Sequence, residues 1–396
     1  MGRGYIMSLR RLGILIPPIT DHDRDMMVGV LKYIRDFGGW EAATRNSNPF
    51  LPWEGIAEMR TDPWELVRQL DVDGVVAGIS GLEQYGQLLS KGIPVVSVYG
   101  RFDLSNIAYV ISNNIEIGRQ VAKYLVSKGL KHFSCILRSG RVHYQQRYEG
   151  FNEEIHKQGY HCEKIELDED LHDIDAIQMI SHKLQTLQKP AGCFATYDSI
   201  AVAVAHACKI AKIDIPDQVS IIGVSNHTIL CDSTNPPISS IRQRSEDIGY
   251  EAARLLDLIV KGEKRPNERV LIPPGTIVER RSSNFLAIND PIVVKVVRYI
   301  REHANERISI EQVMDIVPVS RRTLDKKFMN ELGRTPAYEL RLARVRLAQE
   351  RLIASDEPIT AIALDMGFNS VSGFNRAFKE YVGMTPTEYR SHASKD

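Results

Sequence analysis

Two sets of side chains in this sequence have the types and spacing to do recognition chemistry. The first set follows short apolar runs: Asp23, Arg24 and Asp25 in "PPITDHDRD", Asn113 in "ISNN", Asp198 in "TYDS" and Asn226 in "SNH". Most are short polar side chains able to bind hydroxyl groups in pairs. The same residue types favour helix N-caps, so capping and ligand contact both stand open at each position. The second set is Arg322, Asp325, Lys326 and Met329, matched 50 positions later by Ser372, Asn375, Arg376 and Lys379. Each follows the i, i+3, i+4, i+7 spacing of one helix face. Arg and Lys pair with the major-groove edge of guanine, and Asn with that of adenine. Signatures of catalysis are scarce: there is no GxxxxGK[ST] loop, no GxGxxG after a strand, no GxSxG elbow and no HExxH. The eleven histidines are scattered, with His156 and His161 expected at the surface. Asp198 with Asp23 or Asp25 is the one acid–base pair hinted at. A binding protein fits this inventory better than an enzyme.

The elements that would position the first set alternate between strand and helix. Apolar runs "LGILIP", "DGVVAGIS", "IPVVSVYG", "HFSCILR", "AGCFATYD" and "VSIIGVSN" are separated by helical patterns at 26–37, 82–90, 115–128, 145–158, 200–209 and 247–260. Continuous apolar strands between amphipathic helices predict a parallel sheet covered on both faces. The number of units favours two doubly wound lobes, with ligands bound beyond the carboxyl ends of the strands. The chain has 396 residues, enough for two or three domains. Its 50 basic and 50 acidic residues cancel, so any attraction to nucleic acid must be local. The five cysteines form no CxxC pair, which argues against a zinc site and for reduced, buried thiols. The opening "MGRGYIMSLRRLGILIPP" has too short an apolar run for a signal peptide, and no stretch reaches the ~20 apolar residues of a membrane span. A cytoplasmic protein with no membrane partner is expected.

The elements that would position the second set are all helical. Asp290 before Pro291 reads as an N-cap, and Val293, Val296, Val297 and Ile300 form one buried stripe. Ser309 and Gln312 match a capping box. "FMNELGRTPAY" and "FKEYVGMTPTEYR" repeat a phrase: Phe328, Gly333, Thr335 and Pro336 recur as Phe378, Gly383, Thr385 and Pro386. Each phrase closes a helix–turn–helix pattern, the DNA-reading shape. Leu324 with Phe328, and Phe374 with Phe378, are the expected core anchors behind the polar faces. Gly333 and Gly383 are expected near the helix ends. Residues 318–351 carry nine basic against four acidic residues, a surface suited to phosphate. Arg341, Arg344 and Arg351 share a face of the joining helix, where phosphate contact, solvation and ion pairing stay open.

These stretches carry two family resemblances. "TYDSIAVAV", "KIDIPDQVSIIGVSN" and "PPISSIRQRSEDIGYEAARLL" resemble the sugar-sensing domain of LacI-type repressors, a type I periplasmic-binding-protein fold, over roughly residues 9–283. The resemblance implies ligand contacts at Asp198, at Arg147 in "YQQRYEGF", and at Asn113 and Asn226, where the family commonly has Asp. LacI-type chains begin with a DNA-binding headpiece; this chain opens at the first strand. "GFNSVSGFNRAFKEYVGMTPTEYR" resembles the AraC/XylS regulators over about residues 291–390. That resemblance implies base contacts from Arg321, Arg322, Asp325 and Lys326 in one unit, and from Val371, Ser372, Asn375 and Arg376 in the other. The expected boundaries are 9–285 for the sensor and 291–391 for the reader. A sensor placed before such a reader, with "ERVLIPPGTIVERRSS" and "NDPIVVKVVRYIREHAN" at the junction, resembles activators of pentose operons. This implies a homodimer on double-stranded operator DNA, with D-xylose as first effector and no cofactor. Another pentose or a polyol, or a solute receptor whose helical tail binds protein, are the alternatives.

Overall fold

The computed structural model describes residues 9–44, 71–78, 82–100, 107–285, 288, 290–355 and 357–393. The chain divides into two compact units, 1–286 and 287–396.

The first unit holds two six-stranded sheets, as the alternating pattern predicts. In chain order the strands are β1 (Arg10–Leu15), β2 (Trp40–Thr44), β3 (Gly74–Ala77), β4 (Val95–Ser97), β5 (Ala108–Ser112), β6 (His132–Arg138), β7 (Cys162–Leu167), β8 (Ala191–Ala195), β9 (Val219–Val224), β10 (Ser239–Ile241), β11 (Arg269–Ile272) and β12 (Ile277–Val278). One sheet runs β11-β5-β4-β3-β1-β2 and the other β12-β10-β9-β8-β6-β7. Pairing is parallel except between β10 and β12. Every residue of β3, β8 and β9 is buried, because helices cover both faces of the sheets. The chain crosses between lobes after β5, after β10 and between β11 and β12. The crossings are tied together: Asn113 N–H donates to Ile272 O (2.8 Å) and Arg242 N–H to Thr276 O (3.0 Å).

Each lobe contains a helix pair that meets backbone to backbone. Helix Asp21–Phe37 packs on helix Ser245–Val260, and helix Asn114–Ser127 on helix Val142–Lys157. Glycines make the approach possible. A Cβ on Gly249 would lie 1.8 Å from Met26 O, and one on Gly118 2.1 Å from Arg147 O. These contacts bring the first turns of all four helices to the cleft between the lobes.

Several elements lack the long apolar runs of the central strands. Strand β7 is half exposed, β10 and β12 are two or three residues long, and β2 lies at a sheet edge. Helix Asp173–Thr186 lies outside the helical patterns expected from the sequence. Helix Asp21–Phe37 starts five residues before the expected 26, because Thr20 caps it in a capping box with Asp23 and its first turn is polar. All five cysteines are buried thiols.

The second unit is helical: Pro291–His303, Ile310–Asp315, Arg321–Leu332, Pro336–Ala354, Ile359–Asp365, Val371–Val382 and Pro386–Ala393. Its caps follow the expected chemistry. Asp290 accepts from Ile292 N–H, and Ser309 with Gln312 forms the capping box. Val293, Val296, Val297 and Ile300 are buried on one stripe.

Candidate ligand cleft and nucleic-acid interface

The cleft of the first unit encloses a cavity of about 260 Å³. Its described lining combines apolar walls (Ile19, Val98, Ile111) with Asp23, Arg147 and Gln243. Arg147 sits on the second turn of helix Val142–Lys157 and is only 3% exposed. Its guanidinium is held by neutral acceptors: Nε donates to Asn114 Oδ1 (2.9 Å), Nη1 to Thr196 O (2.6 Å) and Nη2 to Gln243 Oε1 (3.2 Å). Burial lowers its pKa to about 10, which leaves it charged at neutral pH. A guanidinium has five N–H groups, so two remain beyond these three bonds. Asp23 is the acidic counterpart. Its Oδ2 accepts from Thr20 N–H (2.8 Å) and Oγ (2.7 Å), and its Oδ1 from the Tyr99 hydroxyl (2.7 Å).

His22 also lines the cavity and bonds Ser245 Oγ through Nδ1 (2.6 Å). Burial, helped by Arg147 and opposed by Asp23, pushes its pKa down to about 4, so it is neutral at physiological pH. Gln243 sits at a crossing and binds both lobes. It accepts from Ser112 Oγ (2.8 Å) and donates to Ser225 Oγ (2.7 Å). Three further contacts bridge the lobes. Asp21 Oδ2 accepts from Thr228 N–H (3.4 Å) and lies 3.5 Å from His227 Nδ1; His143 Nδ1 lies 3.2 Å from Gly100 O.

Of the seven residues singled out for ligand contact, Asp23 and Arg147 line the cavity. The other five stand outside its lining. Arg24 is exposed and paired with Asp21, and Asp25 is exposed on the helix surface. Asn113 caps helix Asn114–Ser127 through Glu116 N–H, and its neighbour Asn114 takes the cavity position. Asp198 is fully buried beneath the loops, accepting from Ser240 Oγ (2.6 Å) and His227 N–H (2.7 Å). Burial pushes its pKa up to about 6, against those hydrogen bonds. Asn226 is held by Arg280 Nη1 (2.8 Å) and sits at φ +53°. Asp198 is thus committed to a loop, not poised as half of an acid–base pair. Tyr99, Tyr144, Tyr197, His22 and Gln243 line the cavity without having been singled out. Their one shared signal is position just after a strand or in a helix's first turn, which many residues share.

In the second unit the two helix–turn–helix units superpose in sequence at an offset of 50. Recognition helix Arg321–Leu332 is capped by Ser320 and ends at Gly333 (φ +64°); helix Val371–Val382 is capped by Ser370 and ends at Gly383 (φ +84°). The Thr-Pro that follows starts the next helix rather than ending the last. Thr335 caps helix Pro336–Ala354 by accepting from Tyr338 N–H, and Thr385 accepts from Glu388 N–H. Leu324, Phe328, Phe374 and Phe378 are fully buried. Arg321, Arg322, Lys326, Ser372, Asn375 and Arg376 are exposed, while Asp325 and Val371 are half-buried. The basic surplus is partly spent inside the protein: Lys327 pairs with Asp290, Arg334 with Glu339, and Arg351 with Glu357 and Asp365. Arg344 binds backbone carbonyls. The recognition helices, with exposed Arg341 and Arg346 on the joining helix, carry the rest of the basic residues of 318–351.

A two-lobed α/β sensor followed by a tandem reader defines a class of transcription regulator, and comparison with known proteins agrees. Residues 122–283 match the family described as Periplasmic binding protein-like domain, and residues 314–392 the Helix-turn-helix domain. The chain is a homologue of the Xylose operon regulatory protein of Escherichia coli (strain K12), at 28% identity over 96% of each chain. The protein of that name from Haemophilus influenzae is 27% identical over 96% of this chain and 98% of its own. The solved structure of the xylose-binding transcription activator xylR matches with a TM-score of 0.73 and 26% identity, covering 96% of this chain and 98% of that one. This chain is a DNA-binding transcription regulator, and its relatives are regulators rather than enzymes. No helix among the described residues is long and apolar enough to cross a membrane.

Proposed function

We propose that this regulator senses a neutral small sugar, D-xylose first, in the cleft of residues 9–285, and activates transcription through residues 291–391. One observation carries the ligand class. Arg147 and Asp23 offer a buried donor fork and an acceptor of opposite charge in one small cavity, with His22 neutral beside them. The charges balance, so a neutral molecule with several hydroxyls fits better than an acid or an amine. The names of its relatives point to xylose among such molecules. Cleft closure is supported by the Asp21–His227 and His143–Gly100 contacts, which join the two lobes. Ligand shifts this equilibrium only by its preference for the closed form. The protein acts as a cytoplasmic homodimer on operator DNA. Arg321, Arg322, Asp325 and Lys326 contact bases in one half-motif, and Val371, Ser372, Asn375 and Arg376 in the next.

A melting screen of the full chain against D-xylose, L-arabinose, D-ribose, glucose and xylitol tests the assignment. A ligand at ~100 times its Kd adds about 2.7 kcal/mol to folded-state stability. A rise in Tm with D-xylose alone supports the reading. A rise with another sugar keeps the architecture and replaces the effector; no rise with any of them removes the sugar assignment.

A further inference from the structure

The two readers are joined by helix Pro336–Ala354, and Arg344 lies at its middle. Arg344 Nη2 donates to Ile308 O (2.7 Å), just ahead of the first helix–turn–helix unit. Nη1 donates to Gly367 O (3.2 Å), in the turn of the second unit. One planar group therefore ties both units to each other and to the helix between them. Gly367 is fitted to this contact. Its φ is +74°, and a Cβ there would stand 2.9 Å from Arg344 Nη2. A clasp lies alongside: Arg307 Nη2 reaches Asp365 Oδ1 (3.2 Å), and Arg351 reaches Asp365 Oδ2 (3.2 Å). Arg307 belongs to the segment before the first unit and itself holds φ +54°.

A linking helix sets the distance between two readers, but their rotation about it depends on what ties one unit to the other. A guanidinium fork can hold two carbonyls at a fixed angle, whereas an ammonium is a point charge on a flexible stem. We propose that Arg344, with the Arg307–Asp365–Arg351 clasp beside it, is a positioning element that fixes the phase of the two recognition helices. The separation of the two half-motifs in an operator is then read as strictly as their bases. The inference rests on the reading that both recognition helices contact DNA.

Selection of bound duplexes from a random-sequence library, with the full-length protein, tests it. The wild type is expected to select two base blocks at a single separation. Arg344→Lys is expected to select the same two blocks at separations spread over several base pairs. It should also bind the wild-type duplex about tenfold more weakly. Two blocks at an unchanged single separation in Arg344→Lys would overturn the proposal while leaving the two-reader reading intact. A single block selected by the wild type would overturn both. If Arg344→Lys fails to fold by circular dichroism, Arg307→Ala combined with Asp365→Asn opens only the exposed clasp. Broadened separations in that variant support the proposal, and an unchanged separation defeats it. A merely structural role would weaken all separations equally.

Discussion

The sensor unit and the reader unit dispose of their polar side chains in opposite ways. In the sensor, Arg147 is 3% exposed and wired to three neutral acceptors drawn from different elements of the fold. In the reader, Arg322, Lys326, Asn375 and Arg376 stand exposed on helices whose other side is pinned by fully buried Leu324, Phe328, Phe374 and Phe378. An enclosed constellation suits a partner small enough to be surrounded; an exposed row suits one too large to enclose. A mutation in either unit should therefore damage one kind of recognition and spare the other.

The largest effect should come from the reader's anchors. Phe378→Ala removes a fully buried ring and is expected to destabilise the reader by about 3–5 kcal/mol. Operator binding should be lost while the melting shift given by sugar persists, as followed by calorimetry. Loss of the sugar response as well would break the separation of the two units. Next comes the sensor's buried cation. Arg147→Met removes the donor to three acceptors, of which Gln243 Oε1 keeps its bond from Ser112, and should weaken sugar binding by about 1.5–3 kcal/mol, roughly ten- to a hundredfold in Kd by titration calorimetry. DNA affinity without sugar should be unchanged. Arg376→Ala should cost about 1–3 kcal/mol on the cognate duplex and little on a scrambled one. An equal loss on both duplexes would assign Arg376 to phosphate.

The smallest effect concerns pH. Burial pushes Asp198 up to about 6 and His22 down to about 4. In folded protein Asp198 resists ionisation, so its contribution to stability falls as pH rises from about 4 to 6. His22 resists protonation, so its contribution rises between about 4 and 6.5. The two slopes oppose each other, and the wild-type sensor should change little across this window. Asp198→Asn leaves the His22 slope alone, and its Tm should climb from pH 4 to 6.5. A climb no steeper than the wild type's would show that Asp198 is not held protonated.

The same contrast explains what the sequence made legible. The reader's faces, anchors and caps are local: Phe374 and Phe378 are four residues apart, and Gly383 ends the helix they sit on. Helical periodicity alone places such residues on inner or outer faces. The strands β3, β6, β8 and β9 are equally readable, because burial on both faces leaves mostly apolar runs, broken only by Ser134 in β6 and Ser220 in β9. The cavity was not readable in this way. Its lining gathers residues from positions 17 to 248, and nothing local distinguishes Asn114, which reaches it, from Asn113, which caps a helix instead. Asp198 and Asn226 show the converse case. Both follow strands of the second lobe, yet they are bound to Ser240 and Arg280 and organise loops rather than the cavity lining.

The central claim is that sugar in the sensor changes what the reader does. Fluorescence anisotropy of the full chain on a selected operator duplex, titrated with and without saturating D-xylose at one salt concentration, tests it most directly. D-xylose is expected to tighten operator binding by about tenfold or more, which corresponds to a coupling of roughly 1.4 kcal/mol. Equal affinity with and without D-xylose, and with each of the other sugars, would contradict it.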